Sequence, residues 1–102
     1  MADAALVLDG STLRLSGPVT LNTAGPLTAQ GRSLLARLPH EATLDLSKVT
    51  RVDSAGVAML VEFWRLRERQ DARLAFVSIP AELQPLLQLY DLEAVFGTGS
   101  SG

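Results

Sequence analysis

Near Asp53 the spacing of the apolar residues changes from two to about 3.6, and that one change most constrains what the chain can fold into. Upstream, from Glu41 to Val49, Ala42, Leu44 and Leu46 alternate with Thr43, Asp45 and Ser47, as in a strand with one face toward a core. Downstream, residues 55 to 70 carry their apolar side chains at helical spacing. The pattern recurs elsewhere. Ala5-Leu6-Val7-Leu8 and Thr12-Leu13-Arg14-Leu15 flank Asp9-Gly10-Ser11 and predict a β-hairpin. Leu27, Gly31, Leu34, Leu35 and Leu38 share one helical face, in a segment expected to open near Thr23 to Pro26 and to stop before Pro39. Arg73 to Ile79, RLAFVSI, is apolar nearly throughout and predicts a strand covered on both faces. Leu83, Leu86, Leu87 and Tyr90 then stand at i, i+3, i+4 and i+7, with Pro85 either kinking that helix or marking its start. Strands and helices in this order predict an α/β layer fold whose strands are joined by crossover helices.

With 102 residues the chain has the length of one core, assigned to residues 1–96. Residues 97–102, GTGSSG, spell G-x-G-x-x-G but follow no strand and open no helix, so a flexible tail is expected there rather than a phosphate loop. The first residues carry an acid where an export signal has its basic region, and no apolar run approaches the ~20 residues that span a bilayer. The expectation is a cytoplasmic protein with no direct membrane insertion. Nine basic against eleven acidic residues give a net charge of −2, which offers no field for a phosphate backbone, so no nucleic-acid partner is expected.

Catalytic chemistry is hard to assemble from these residues. There is no cysteine and one histidine, His40, read as an ordinary surface residue in a loop. A His-activated serine and a multi-histidine metal site would both lack partners. P-loop and G-x-S-x-G patterns are absent from the sequence. Asp45 and Asp53, eight positions apart across a strand-to-helix junction, read as turn and cap residues rather than an acid–base pair. No catalytic residue, metal site or cofactor is expected.

The segment VTRVDSAGVAMLVEFW, residues 49–64, carries what chemistry there is. Ser54 could be a helix cap, a nucleophile, a phosphorylation target or part of a surface read by another protein. Asp53 or Ser54 can accept N–H groups of the first helical turn, and the Asp charge suits the helix dipole. Gly56 asks for more than capping, because glycine there costs ~1 kcal/mol relative to alanine and suggests a close approach to its backbone. On the same helix Val57, Leu60 and Trp64 form an apolar arc with Val61 at its edge, extended by Met59, Phe63 and Leu66, and Trp64 is read as core. That arc spans roughly 220°, about twice what one-sided burial requires. Either the helix is wedged between layers or its Met59–Phe63 edge docks a partner. Arg65, Arg67, Glu68, Arg69 and Arg73 read as a solvated mixed-charge face, with Arg67 snorkelling from the apolar side.

The run Leu44-Asp45-Leu46-Ser47-Lys48-Val49-Thr50-Arg51-Val52-Asp53-Ser54-Ala55-Gly56, followed by the apolar helix, resembles the signature of STAS domains. The similarity extends from TLRLSG at 12–17 to LQLYDLEAVF at 87–96. It implies a small mixed β-sheet packed with α-helices. Two branches are close. In anti-sigma-factor antagonists the residue matching Ser54 is phosphorylated by a partner kinase, which breaks docking. In the MlaB-like branch a stand-alone domain binds the ATPase subunit (MlaF-like) of an ABC system that moves phospholipid and includes a membrane permease. DLSKVTRVDSAG with Leu89-Tyr90-Asp91-Leu92 resembles the second branch more, and Gly17-Pro18-Val19-Thr20 stands where antagonists carry an acidic pair. The resemblance implies a non-enzymatic regulatory subunit, peripheral at the inner membrane through its complex. Its contact surface would be Arg51, Asp53, Ser54 and Gly56 as a polar rim, with Val57, Met59 and Phe63 supplying apolar contact.

Overall fold

Parallel strands need long crossovers and antiparallel ones a short turn, and the chain uses both. The structure, a computed structural model, describes residues 3–96, the side chains of Glu93 and Ala94 excepted; the expected tail at 97–102 lies outside the described residues. β1 (Ala5–Asp9) and β2 (Thr12–Val19) form an antiparallel hairpin, closed by Gly10 at φ +64°. β3 (Glu41–Val52) runs parallel to β2, and β4 (Arg73–Val77) runs parallel to β3. The sheet order is β1-β2-β3-β4. Helix α1 (Leu21–Leu35) makes the first crossover and α2 (Ser54–Arg69) the second. After β4 come a 3₁₀ turn (Ala81–Leu83), α3 (Gln84–Leu89) with Pro85 in its first turn, and α4 (Glu93–Phe96). Pro85 thus marks a helix start.

Period-two alternation puts Leu13, Leu15, Val19, Ala42, Leu44, Leu46, Leu74 and Phe76 on one face of the sheet, all buried. Leu27 and Leu35 of α1 and Val57, Leu60 and Phe63 of α2 close that core. The opposite face is open. β4 therefore departs from the two-sided burial its apolar run predicts: Arg73, Ala75 and Val77 are exposed, because the two crossover helices pack side by side rather than on opposite faces. Phe76 also stacks on Phe96 of α4, with ring centroids 4.3 Å apart.

Helix α1 starts earlier than predicted. The Thr20 N–H donates to Thr23 Oγ1 at 2.9 Å, and the Thr23 hydroxyl donates to the Pro18 carbonyl at 2.9 Å, so the helix is capped a turn ahead of Pro26. Pro26 then falls inside the helix, on an exposed position. Gly31, buried in α1, lies on the ring of Phe63; a β-carbon there would overlap that ring. This contact sets the α1–α2 approach and settles the wide apolar arc of α2, which is wedged between α1 and the sheet.

Arg65, Glu68, Arg69 and Arg73 are exposed, as the mixed-charge face predicts, but Arg67 is not. It is 2% exposed. Its Nε donates to the Arg73 carbonyl (3.1 Å), Nη1 to the Leu35 carbonyl (3.2 Å) and Gln70 Oε1 (3.4 Å), and Nη2 to the carbonyls of Pro39 and His40. The guanidinium thereby ties the end of α1, the lead into β3 and the start of β4 together. Burial lowers its pKa from the usual arginine range, while the surrounding carbonyls take up its donors.

Candidate partner-binding site

The parallel strands β2 and β3 end side by side, and the two helices that follow them start there. The Asp53 N–H donates to the Val19 carbonyl at 3.3 Å, and Asp53 is extended (φ −111°, ψ −173°), which aims its carboxylate at both helix starts. Oδ1 accepts the Gly56 N–H and Oδ2 the Leu21 N–H, each at 3.0 Å. One carboxylate caps α2 and satisfies the first N–H of α1. The Gly56 N–H, then the Leu21 N–H, hold its pKa below the usual carboxylate range, with smaller help from the Ala55 N–H and the Arg51 charge. Asp45 serves a separate turn, accepting the Ser47 N–H at 2.8 Å.

Capping therefore falls to Asp53, and Ser54, the first residue of α2, is left exposed. Gly56 does permit a close approach, but an internal one: a β-carbon would overlap the Val19 carbonyl oxygen. Of the seven residues expected at a partner surface, Arg51 and Ser54 are exposed and Asp53 is half-buried. Gly56, Val57, Met59 and Phe63 are buried. The apolar half of that expected surface is committed to the core, because the arc of α2 faces α1 as well as the sheet.

Other residues supply apolar surface beside Ser54. A groove of about 310 Å³ runs along α2 past Ala58, Val61 and Arg65, with Val57 beneath and Tyr90 and Leu92 opposite. Large apolar side chains stand out nearby: Leu89 is 73% exposed and Tyr90 48%. At the neighbouring helix start, Leu21 is 76% exposed. Sequence periodicity counted Tyr90 with the core face of α3; the short helix ends at Leu89, so Tyr90 turns out of that face. Leu21 and Ala58 left no signal, since one apolar residue at a helix start and one alanine on a polar face are both commonplace. His40 is exposed, on the rim of a broad depression of about 830 Å³ that also includes Trp64 and Glu68. Among the described residues no group of three or more His, Cys, Asp or Glu is placed to hold a metal ion, and no helix is long and apolar enough to cross a membrane.

The family profile described as "Mlab, STAS domain" matches residues 3–97. The chain belongs to the STAS-domain family. Over 85 residues it is 29% identical to the "Intermembrane phospholipid transport system binding protein MlaB" of Escherichia coli K12, covering 83% of this chain and 84% of that one, and the Shigella flexneri protein of the same name matches equally. Solved structures share the STAS fold. An anti-sigma factor antagonist from Mycobacterium paratuberculosis aligns with a TM-score of 0.73 over 94% of this chain and 83% of its own, at 19% identity. The anti-sigma factor antagonist SpoIIAA in its unphosphorylated form aligns with a TM-score of 0.64 over 85% and 83%, at 13% identity. The mixed sheet with packed helices is the architecture that this STAS sequence predicts.

Proposed function

We propose that this STAS domain is a non-enzymatic subunit that binds the ATPase of an ABC transporter for phospholipid, in a complex with a membrane permease, and regulates or stabilises it. The observation that carries the reading is the 29% identity to MlaB, a protein named for phospholipid transport, over most of both chains. In this reading the domain is cytoplasmic and sits at the inner membrane through its complex. Ser54 and Arg51 contribute the polar part of the contact, and Ala58, Val61 and Tyr90 take over the apolar part from the buried Met59 and Phe63. Asp53, Gly56 and Val57 act from beneath, holding the first turn of α2 in place.

The exposed Ser54 hydroxyl also suits the second reading, an anti-sigma-factor antagonist switched by a serine kinase. Asp53 speaks against a ready phosphate site, since its carboxylate already accepts two N–H groups of the helix starts and would face a new charge of about −2. Titration of the purified chain with the host's ABC ATPase separates the two. Binding that Ser54→Glu weakens supports the transporter subunit; absence of binding overturns it.

A further inference from the structure

We infer that the partner segment seated in the groove beside Ser54 is an amphipathic α-helix with an acidic side chain opposite Arg65; the inference rests on the docking reading above. Three observations lead to it. The groove follows Ser54, Ala58, Val61 and Arg65, spaced 4-3-4 along α2. Such a row is one straight ridge about three turns long, roughly 17 Å, the surface against which a second helix packs. Ser54 and Ala58 are small and admit a close approach at the start of α2, while Val61 supplies apolar contact and Tyr90 and Leu92 complete the groove.

Charge adds a second requirement at the Arg65 end. Of the other guanidiniums on α2, Arg67 is engaged by backbone carbonyls and Arg69 by Glu62 at 3.9 Å, while Arg51, just ahead of the helix beside Ser54, is exposed and in none of the ion pairs among the described residues. Arg65 is exposed, lines the groove and belongs to none of the ion pairs among the described residues. At the other end, the Asp53 carboxylate, engaged by the N–H groups of Gly56 and Leu21, and the exposed Arg51 both precede Ser54, so that end carries no one sign of charge. An acidic side chain on the partner helix is attracted to the unpaired Arg65, so an amphipathic helix that places one there matches the groove and one that places a basic side chain there does not.

The test is titration of the fluorescently labelled chain with the host's ABC ATPase at low and high salt, for wild type, Arg65→Gln and Arg65→Glu. The expected result is a loss of affinity on the order of tenfold for Arg65→Glu and roughly threefold for Arg65→Gln, both shrinking at high salt. Wild-type affinity in Arg65→Glu overturns the inference and leaves the docking reading standing. Should the wild type not bind the ATPase, the docking reading fails, and the groove is judged alone with two matched amphipathic helical peptides of about four turns, one ending in Glu and one in Lys. Amide shifts at Ala58, Val61 and Arg65 with the Glu peptide, and not the Lys peptide, support an acidic helix. Equal shifts, or none, overturn it.

Discussion

The carboxylate of Asp53 accepts the backbone N–H of Leu21 at 3.0 Å, joining two helix starts that lie 32 residues apart in the chain. Its other oxygen caps its own helix through Gly56. Asp53→Ala removes both acceptors, and a loss of about 2 kcal/mol is expected, the upper end for a helix cap because two helices lose a partner. Asp53→Asn keeps one acceptor oxygen and should lose about 1 kcal/mol. Urea denaturation of the three chains checks the order.

Acid should expose the same carboxylates. Asp53 is held below the ordinary Asp range by the N–H groups of Gly56 and then Leu21, and Asp45 by the backbone N–H and then the hydroxyl of Ser47. A carboxyl with a lower pKa in the folded chain binds fewer protons there, so it adds stability above the unfolded value of about 3.9. That stability is lost as pH falls through the depressed folded values. Denaturation midpoints should therefore be flat near neutrality and decline below about pH 5, with a shallower decline in Asp53→Asn.

Two glycines are read as contact sites rather than flexible points. Gly56→Ala sets a β-carbon against the Val19 carbonyl oxygen, a backbone atom, and Gly31→Ala sets one against the buried ring of Phe63. Each should destabilise by about 1–3 kcal/mol. Pairing Gly31→Ala with Phe63→Leu should cost less than the sum of the single changes, since the smaller side chain vacates the overlap; no such rescue is expected for Gly56→Ala. Thermal melts of the single and double variants decide this.

Arg67→Met should be among the most damaging substitutions. Methionine fits the stem but leaves the carbonyls of Leu35, Pro39, His40 and Arg73 without their donor, for an expected loss of about 3 kcal/mol or more. Arg67→Lys keeps the charge but not the planar fork, and should recover only part of that loss. Equilibrium denaturation against wild type measures both.

Arg67 also shows where sequence reading stops. Period-two and helical spacing locate β3, α2 and the hairpin, because each depends on neighbours in the chain. Arginine at a helix end looks the same whether it meets water or carbonyls from residues 27 to 32 positions away. The same blindness applies to the site. The Asp53 cap was legible as a local event, but its bond to Leu21 was not. Gly56 signalled a close approach without saying to what, and Val19 became its neighbour only when β2 and β3 paired. The width of the α2 arc leaves wedge and docking edge equally open; the seat of Phe63 against Gly31 of α1 and the burial of Met59 decide it.

If Ser54 lies in the contact with an ABC ATPase, as proposed, a charge placed there must disturb the complex. Affinity purification of tagged wild-type and Ser54→Asp chains from the native host, with mass spectrometry of partners and of Ser54, tests it most directly. The expected result is an ABC ATPase with the wild type, Ser54 unmodified, and depletion of that ATPase from the Ser54→Asp sample. Recovery of a serine kinase with phosphorylated Ser54, or equal ATPase recovery with both chains, would contradict it.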